Sequence, residues 1–198
     1  MLKYGQKIGY CGLLLLLILP LYGCWDNQDI EKLSIVMGIG LDKANSENER
    51  SIRLTNQIAI PKGSTQEQTS SVNYQNVSVT GETIHSSFRK LSLELSNTPF
   101  TQHLKVIIIQ DKLAKSLSIQ SLLNQIIRDN ESRMSPEVCI TRGEARNLLG
   151  VKATPDIPSE RITGIVDNQY LTTGILPPMT LGEVNSKLLQ KSSFYYKI

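Results

Sequence analysis

The chain has 198 residues, of which 40% are hydrophobic and 20% are charged, enough apolar side chain for the core of one or two globular domains. The formal net charge is +3, and there is no cluster of Lys and Arg, which argues against a nucleic-acid partner. The three cysteines include no C-x-x-C pair, and the two histidines stand far apart. We therefore expect no disulfide framework, no metal site and no cofactor.

The first predicted element is an export signal. Lys3 and Lys7 precede an apolar run from about Ile8 to Leu21. This run is short for a membrane-spanning helix, which needs roughly 20 apolar residues. Such a layout is typical of a secretory signal peptide.

The apolar run ends in Leu21-Tyr22-Gly23-Cys24, which resembles a bacterial lipobox. The resemblance implies a signal peptide over residues 1–23 that is cleaved after Gly23. It also implies that Cys24 becomes the first mature residue as an S-diacylglycerol cysteine, with N-acylation as a further modification. Membrane lipid is then a partner through Cys24, since two acyl chains anchor a protein stably. The alternative is an uncleaved N-terminal helix with an unrelated cysteine.

Three strands are predicted next. The apolar run from Ile35 to Leu41 suits a buried strand, and 52–60 suits a second strand, paired antiparallel to it through the polar turn "ANSENER". Residues 62–73 carry almost no apolar side chain and are predicted to form an exposed, mobile loop. The segment "YQNVSVTGET" then predicts a third strand.

Helices and strands alternate in the following part of the chain. Helices are predicted over 82–95, 119–131 and 144–150, where apolar residues recur at helical spacing or a glycine follows the segment. "HLKVIIIQ" has the uninterrupted β-branched run of a strand that is buried on both faces, and "EVCITRG" is a further strand on which Cys139 is a small core residue. The order indicates crossover connections, hence a mixed sheet in an α/β or α+β fold.

The prolines after Gly150 predict a boundary. Residues 24–150 are assigned to an N-terminal domain. Residues 151–198 are assigned to a smaller helical segment, with helices predicted in "ERITGIVDNQYLTT" and "LGEVNSKLLQ".

Candidate catalytic residues are few. The sequence contains no G-x-S-x-G, H-E-x-x-H or phosphate-loop motif, and the pair Gly38 and Gly40 lacks the third glycine of a dinucleotide site. His85 and His103 are expected to have structural roles. We therefore predict no enzyme. A cell-envelope hydrolase would depend on His103.

A charged run at a helix end is the one candidate surface for contact with a partner. It consists of Arg128, Asp129, Glu131 and Arg133, two charges of each sign within six residues. The alternative is a solvated set of ion pairs, each contributing less than about 1 kcal/mol.

The segment "GCWDNQDIEKLSIVMGIGLDK" and three later blocks resemble, in order and spacing, the Ger(x)C family, the lipoprotein C subunits of bacterial spore germinant receptors. The later blocks are "GETIHSSFRKLSLELSN", "HLKVIIIQDKLAK" and "LLNQIIRDNESRMSPEVCITRGEARNLL". Residues that match family positions are Cys24, Trp25, Asp26, Gly40, Asp42, Gly81, Glu82, Thr83, His103, Lys105, Arg128, Asp129, Glu131 and Arg133.

The resemblance implies a non-enzymatic structural or signalling role in nutrient-triggered germination. It implies a lipid-anchored protein on the outer face of the spore inner membrane, and the integral-membrane A and B subunits as partners. Family members are about twice this length, so 151–198 is expected to be the start of a truncated remainder. The alternative function is a solute-binding lipoprotein that serves a transporter.

Overall fold

The computed structural model describes residues 32–44, 51–60, 74–128, 132–152, 157–174 and 177–190, and five positions near the N-terminus: Tyr4, Gly9, Tyr10, Gly12 and Leu13. The chain divides into two compact units, Met1–Lys32 and Leu33–Ile198. The segment 21–24 that resembles a lipobox and the predicted loop over 62–73 lie outside the described residues. Among the residues that are described, no helix has the length and apolar character needed to cross a bilayer.

Six strands form in the described part of the second unit: β1 (Leu33–Lys43), β2 (Ile52–Ala59), β3 (Tyr74–Gly81), β4 (Thr98–Phe100), β5 (Val106–Gln110) and β6 (Glu137–Thr141). The strand order is β3-β2-β1-β5-β6, with β4 beside the start of β1. The pairings of β1 with β2 and of β2 with β3 are antiparallel, whereas β5 pairs parallel with both β1 and β6. The predicted mixed sheet is confirmed.

The described helices of this unit are α1 (Ile84–Glu94), α2 (Asp111–Ser116), α3 (Ile119–Arg128), α4 (Ala145–Leu149), α5 (Pro158–Thr173) and α6 (Leu181–Leu189). The sequence predicts all of these except α2. It also misses β4. Both are too short to show a periodicity, and β4 contains Pro99, which argues against a strand in the sequence alone.

The sheet is covered on both faces. The larger core lies between one face and α1, α3 and α6, with Leu91, Leu123 and Leu181 among its fully buried residues. A smaller core on the other face joins β5 and β6 to α4, and part of α5 packs against it. Every residue of β5 is buried, as its β-branched run predicts, and Cys139 is buried on β6. Both helices that follow residue 156 therefore pack on this sheet.

A β-bulge at Met37 changes which side chains of β1 face each core. Val36 pairs with Ile58, and the next paired residue, Gly38, stands opposite Gln57, so Met37 is the extra residue. Val36 consequently lies on the same face as Ile39 and Leu41, in the larger core. Gly38, Gly40 and Asp42 then share the opposite face, toward α4.

Helix α1 begins as its sequence indicates. Thr83 is the N-cap, and its hydroxyl accepts a hydrogen bond of 3.0 Å from the Ser86 amide. The Ser86 hydroxyl accepts one of 3.1 Å from the Thr83 amide, which completes a capping box. The predicted apolar stripe faces the larger core: Ile84, Phe88, Leu91 and Leu95.

Candidate functional site

The predicted site residues are only partly within the described chain. Cys24, Asp129 and Glu131 lie outside the described residues. Arg128 is the last residue of α3, and Arg133 is exposed in the segment that leads to β6. The structure brings Arg133, His103 and Lys105 to one cleft, and Arg128 is not part of its lining.

This cleft, which we call the polar cleft, has a volume of about 280 Å³. Strand register explains its position. Val106, the first residue of β5, pairs with Glu137, the first residue of β6, so the segments that enter these parallel strands meet at one edge of the sheet. The entry to β5 contributes Gln102, His103 and Lys105, the entry to β6 contributes Arg133 and Ser135, and α5 contributes Thr163 and Asp167.

Glu137 is the half-buried acid of the polar cleft. Its backbone is held in place because its amide donates a 2.9 Å hydrogen bond to the Lys105 carbonyl. Its carboxyl oxygen Oε2 is inaccessible to solvent and has no hydrogen-bond partner among the described residues. Burial, with a further contribution from the charge of Asp167, raises the pKa of Glu137 from 4.5 to about 7.

The raised pKa of Glu137 predicts how stability depends on pH. Between pH 4.5 and about 7 the folded protein holds a proton that the unfolded chain releases, so this group's contribution to stability falls as pH rises through that range. We expect Glu137→Gln to be more stable than wild type by about 1 kcal/mol at pH 8, a value reduced for solvent screening of a half-buried group.

Denaturant titrations of both proteins from pH 4.5 to pH 8 measure this difference. It should be near zero at the acidic end and grow through neutrality, since the other titrating groups are common to both proteins. If the difference in free energy of unfolding stays constant from pH 4.5 to pH 8, the raised pKa of Glu137 is contradicted.

A second group of charges surrounds the start of α4. Asp42 is fully buried, and its carboxylate accepts hydrogen bonds from the amides of Ala145 (2.6 Å) and Arg146 (3.0 Å). It thus satisfies amides that have no partner within the short helix. Burial raises the pKa of Asp42, while these two hydrogen bonds oppose the shift. At the rim, Glu144 contacts Arg146 at 2.7 Å and Arg53 at 3.7 Å.

A polar bridge joins the end of α4 to the start of α5. The Leu149 carbonyl accepts 2.7 Å hydrogen bonds from the side-chain amides of Gln57 and Asn76. The Gln57 side-chain oxygen accepts a 2.8 Å hydrogen bond from the Ser159 amide. Gln57 is fully buried, so these bonds satisfy its polar atoms and set the position of both helices on the sheet.

The glycines of β1 have a packing role. A Cβ on Gly38 would lie 2.9 Å from Leu149 Cδ2 and 3.0 Å from Ser159 Cβ, and one on Gly40 would lie 3.2 Å from both Ala145 Cβ and Leu149 Cδ1. Glycine at these positions allows α4 to approach the sheet closely. This close approach accounts for the G-x-G pattern without a nucleotide.

The two histidines lie in different clefts. His85 lines a cleft of about 330 Å³ with Phe88 and Arg89, between α1 and α3. His103 lines the polar cleft, and its ring lies 5.8 Å from that of Phe100. Within the described ranges, no three or more His, Cys, Asp or Glu side chains are grouped so as to hold a metal ion.

Sequence reasoning missed Glu137, Thr163 and Asp167. An acidic residue at the start of an otherwise apolar strand was the only available signal for Glu137. Nothing in the sequence links it to Asp167, 30 positions later, because they meet only through the packing of α5 on the sheet.

Comparison with known proteins agrees with the resemblance seen in the sequence. Residues 26–197 match the family described as spore germination protein N-terminal domain. This match covers most of the chain and includes all six strands and six helices described above. No solved structure matches the chain.

Three relatives come from Bacillus subtilis (strain 168). Spore germination protein A3 is 36% identical over 178 residues, 89% of this chain and 47% of that protein. Spore germination protein YndF is 32% identical over 214 residues, 97% and 53% of the two chains, and spore germination protein B3 is 29% identical over 173 residues, 85% and 45%. The chain spans about half the length of these relatives. With its match over 26–197, the chain belongs to the spore germination protein family and carries that family's N-terminal domain.

Proposed function

We propose that this chain serves in nutrient-triggered spore germination as a subunit of a germinant receptor. The match of residues 26–197 to the family's N-terminal domain is the observation that carries this proposal. The relatives' names point the same way, since each is a spore germination protein. The proposed role is structural or signalling, without catalysis, and the partners are the integral-membrane A and B subunits of the receptor.

The proposed attachment to the membrane is a lipid on Cys24. The family match begins two residues after this cysteine, so the lipobox stands at the place where an anchored domain needs its tether. Diacylation supplies stable anchoring, because each buried CH₂ contributes about 0.8 kcal/mol. The proposed location is the outer face of the spore inner membrane.

Labelling with radioactive palmitate tests the anchor. Wild type should incorporate the label and Cys24→Ser should lose it together with membrane association, because the serine hydroxyl does not take the diacylglycerol group as a thioether. Cys11→Ser is the matched control. Cys11 lies inside the apolar run, so this variant should incorporate as much label as wild type. Equal labelling of wild type and Cys24→Ser would refute the lipoprotein assignment.

The germination role has its own test. Spores that lack this chain should lose the response to at least one nutrient, and the reintroduced gene should restore it. Affinity purification of the tagged chain from spore membranes should recover the A and B subunits. An unchanged response to every nutrient in a panel of amino acids, sugars and nucleosides would argue against the role.

A further inference from the structure

The polar cleft holds both signs of charge without pairing them. Glu137 and Asp167 line it, as do Lys105, Arg133 and His103. Ion pairs among the described residues include Arg53 and Arg146 with Glu144 and Lys115 with Asp111, and none is found between the charged residues of the cleft. The basic side chains of the cleft therefore make no ion pair with its two carboxyls.

Glu137 carries one of the buried side-chain oxygens that have no hydrogen-bond partner among the described residues. Its Oε2 is shielded from water and accepts no hydrogen bond from the described residues. A buried acceptor without a donor is unfavourable, and most such atoms in proteins are satisfied. Asp167 lies close enough to disfavour ionisation of Glu137, so a positively charged donor in the cleft would favour the ionised carboxylate.

The remaining lining suits an anionic group. Lys105 and Arg133 are exposed at the same cleft and offer ammonium and guanidinium donors. Because they pair with neither carboxyl, they are available to a ligand. At about 280 Å³ the cleft lies just below the range of pockets for drug-sized ligands, about 300–1,000 Å³, and suits a molecule of few heavy atoms.

We propose that the polar cleft binds a small zwitterion, whose primary ammonium donates to Glu137 and Asp167 and whose phosphate or carboxylate accepts from Lys105 and Arg133. Two sources share this chemistry: a free solute with an amino and an acidic group, and the ethanolamine headgroup of a phospholipid. A quaternary ammonium is a poorer ligand, because it has no N–H to donate to the carboxyl groups of Glu137 and Asp167. The inference goes beyond the proposed receptor role and does not depend on lipidation of Cys24.

Calorimetric titration of the full chain in a nonionic detergent tests the proposal. The probes are phosphoethanolamine and glycine, and their controls are phosphocholine and glycine betaine, which replace the ammonium by a trimethylammonium. We expect saturable binding of at least one probe at pH 8 and affinity for its control about tenfold or more weaker, since a hydrogen bond to a charged group is lost. No saturable binding of either probe, or equal affinity for probe and control, would overturn the proposal.

Variants of the lining separate this site from others on the chain. Glu137→Gln and Arg133→Gln should each weaken binding about ten- to a hundredfold. Glu160→Gln and Arg161→Gln are the matched controls, because both residues are exposed on α5 and neither lines the cleft. Circular dichroism checks that each variant is folded. Unchanged affinity in a folded Glu137→Gln would also overturn the proposal.

The pH dependence is a further readout. Ionisation of Glu137 strengthens its bond to an ammonium, so affinity should fall from pH 8 to pH 6. The titratable and charged groups that surround Glu137 are Asp167 on α5, His103 and Lys105 before β5, and Arg133 before β6, while the entry to α6 meets it through the backbone of Thr180. In Glu137→Gln the residual affinity should vary less over this range.

Vesicles distinguish the two sources. Binding of the chain to phosphatidylethanolamine, but not phosphatidylcholine, in Cys24→Ser would assign the cleft to a lipid headgroup. Binding of free glycine or phosphoethanolamine without a preference between these vesicles would assign it to a solute. Either outcome supports the zwitterion, and the serine variant keeps the result independent of the anchor.

Discussion

Replacing Gly38 by valine is expected to lower the free energy of unfolding by about 3 kcal/mol, the upper part of the range for overpacking a core. Any Cβ at this position would lie 2.9 Å from Leu149 Cδ2 and 3.0 Å from Ser159 Cβ. These atoms belong to two different helices, and the polar bridge through Gln57 resists movement of either one. Rotation of the Leu149 side chain can relieve only part of this clash, because Ser159 Cβ moves only together with the backbone of α5.

Chemical denaturation followed by circular dichroism measures the effect of Gly38→Val. Gly143→Ala is the matched control, because a Cβ there meets no atom within 4 Å and the change should be small. A destabilisation of Gly38→Val no larger than that of the control would show that α4 is free to shift away from β1.

Replacing Asp42 by alanine is expected to cost about 3 kcal/mol, even though the raised pKa of this carboxyl shows that its burial is itself unfavourable. The substitution removes both hydrogen bonds at the start of α4 and leaves the buried Ala145 amide without its acceptor. An unsatisfied buried donor costs about 1–3 kcal/mol, and a bond to a charged group contributes about 1.5–3 kcal/mol.

Asp42→Asn sharpens this prediction. Its amide oxygen can still accept from the Ala145 amide, but its NH₂ would face the Arg146 amide, so about half of the loss should remain. Glu160→Ala, an exposed acid on α5, is the control and should change stability by less than about 0.5 kcal/mol. Equal stability of wild type and Asp42→Ala by thermal and chemical denaturation would contradict the capping role.

The structure gives physical content to two residues that resemble family positions at the end of the first strand, Gly40 and Asp42. In the structure Gly40 admits α4 close to the sheet, and Asp42 holds the first amides of that helix. Both act on the same contact between β1 and α4, so their roles in stability are coupled.

Much of the fold was predictable because its signals are local. The apolar stripe of α1 and the β-branched run of β5 each indicate burial within one element. The sequence does not predict α2 and β4, because both are too short to show a periodicity. The register around Met37 was also out of reach, because a bulge is set by pairing with β2.

The candidate site was predictable only in part. Arg133 was predicted from the charged run, His103 from the search for catalytic residues and Lys105 from the resemblance, and the structure places all three on one cleft. Its two acids did not come from sequence, because Glu137 reads as the first residue of a strand and Asp167 as a solvated helix position. The side chains of Glu137 and Asp167 line the same cleft only because α5 packs beside the start of β6.

The sequence by itself determined most of the helices and strands, the mixed sheet and the family, because apolar periodicity and motif order are local properties of the chain. It also predicts the lipid anchor at Cys24, which rests on a local motif. Only the tertiary structure decided that Gly38 and Gly40 serve helix packing, that Asp42 caps α4, and that unpaired charges meet in one cleft. The physical reason is that these properties depend on contacts between residues about 30 to 120 positions apart, whose distances are set by sheet register and helix docking.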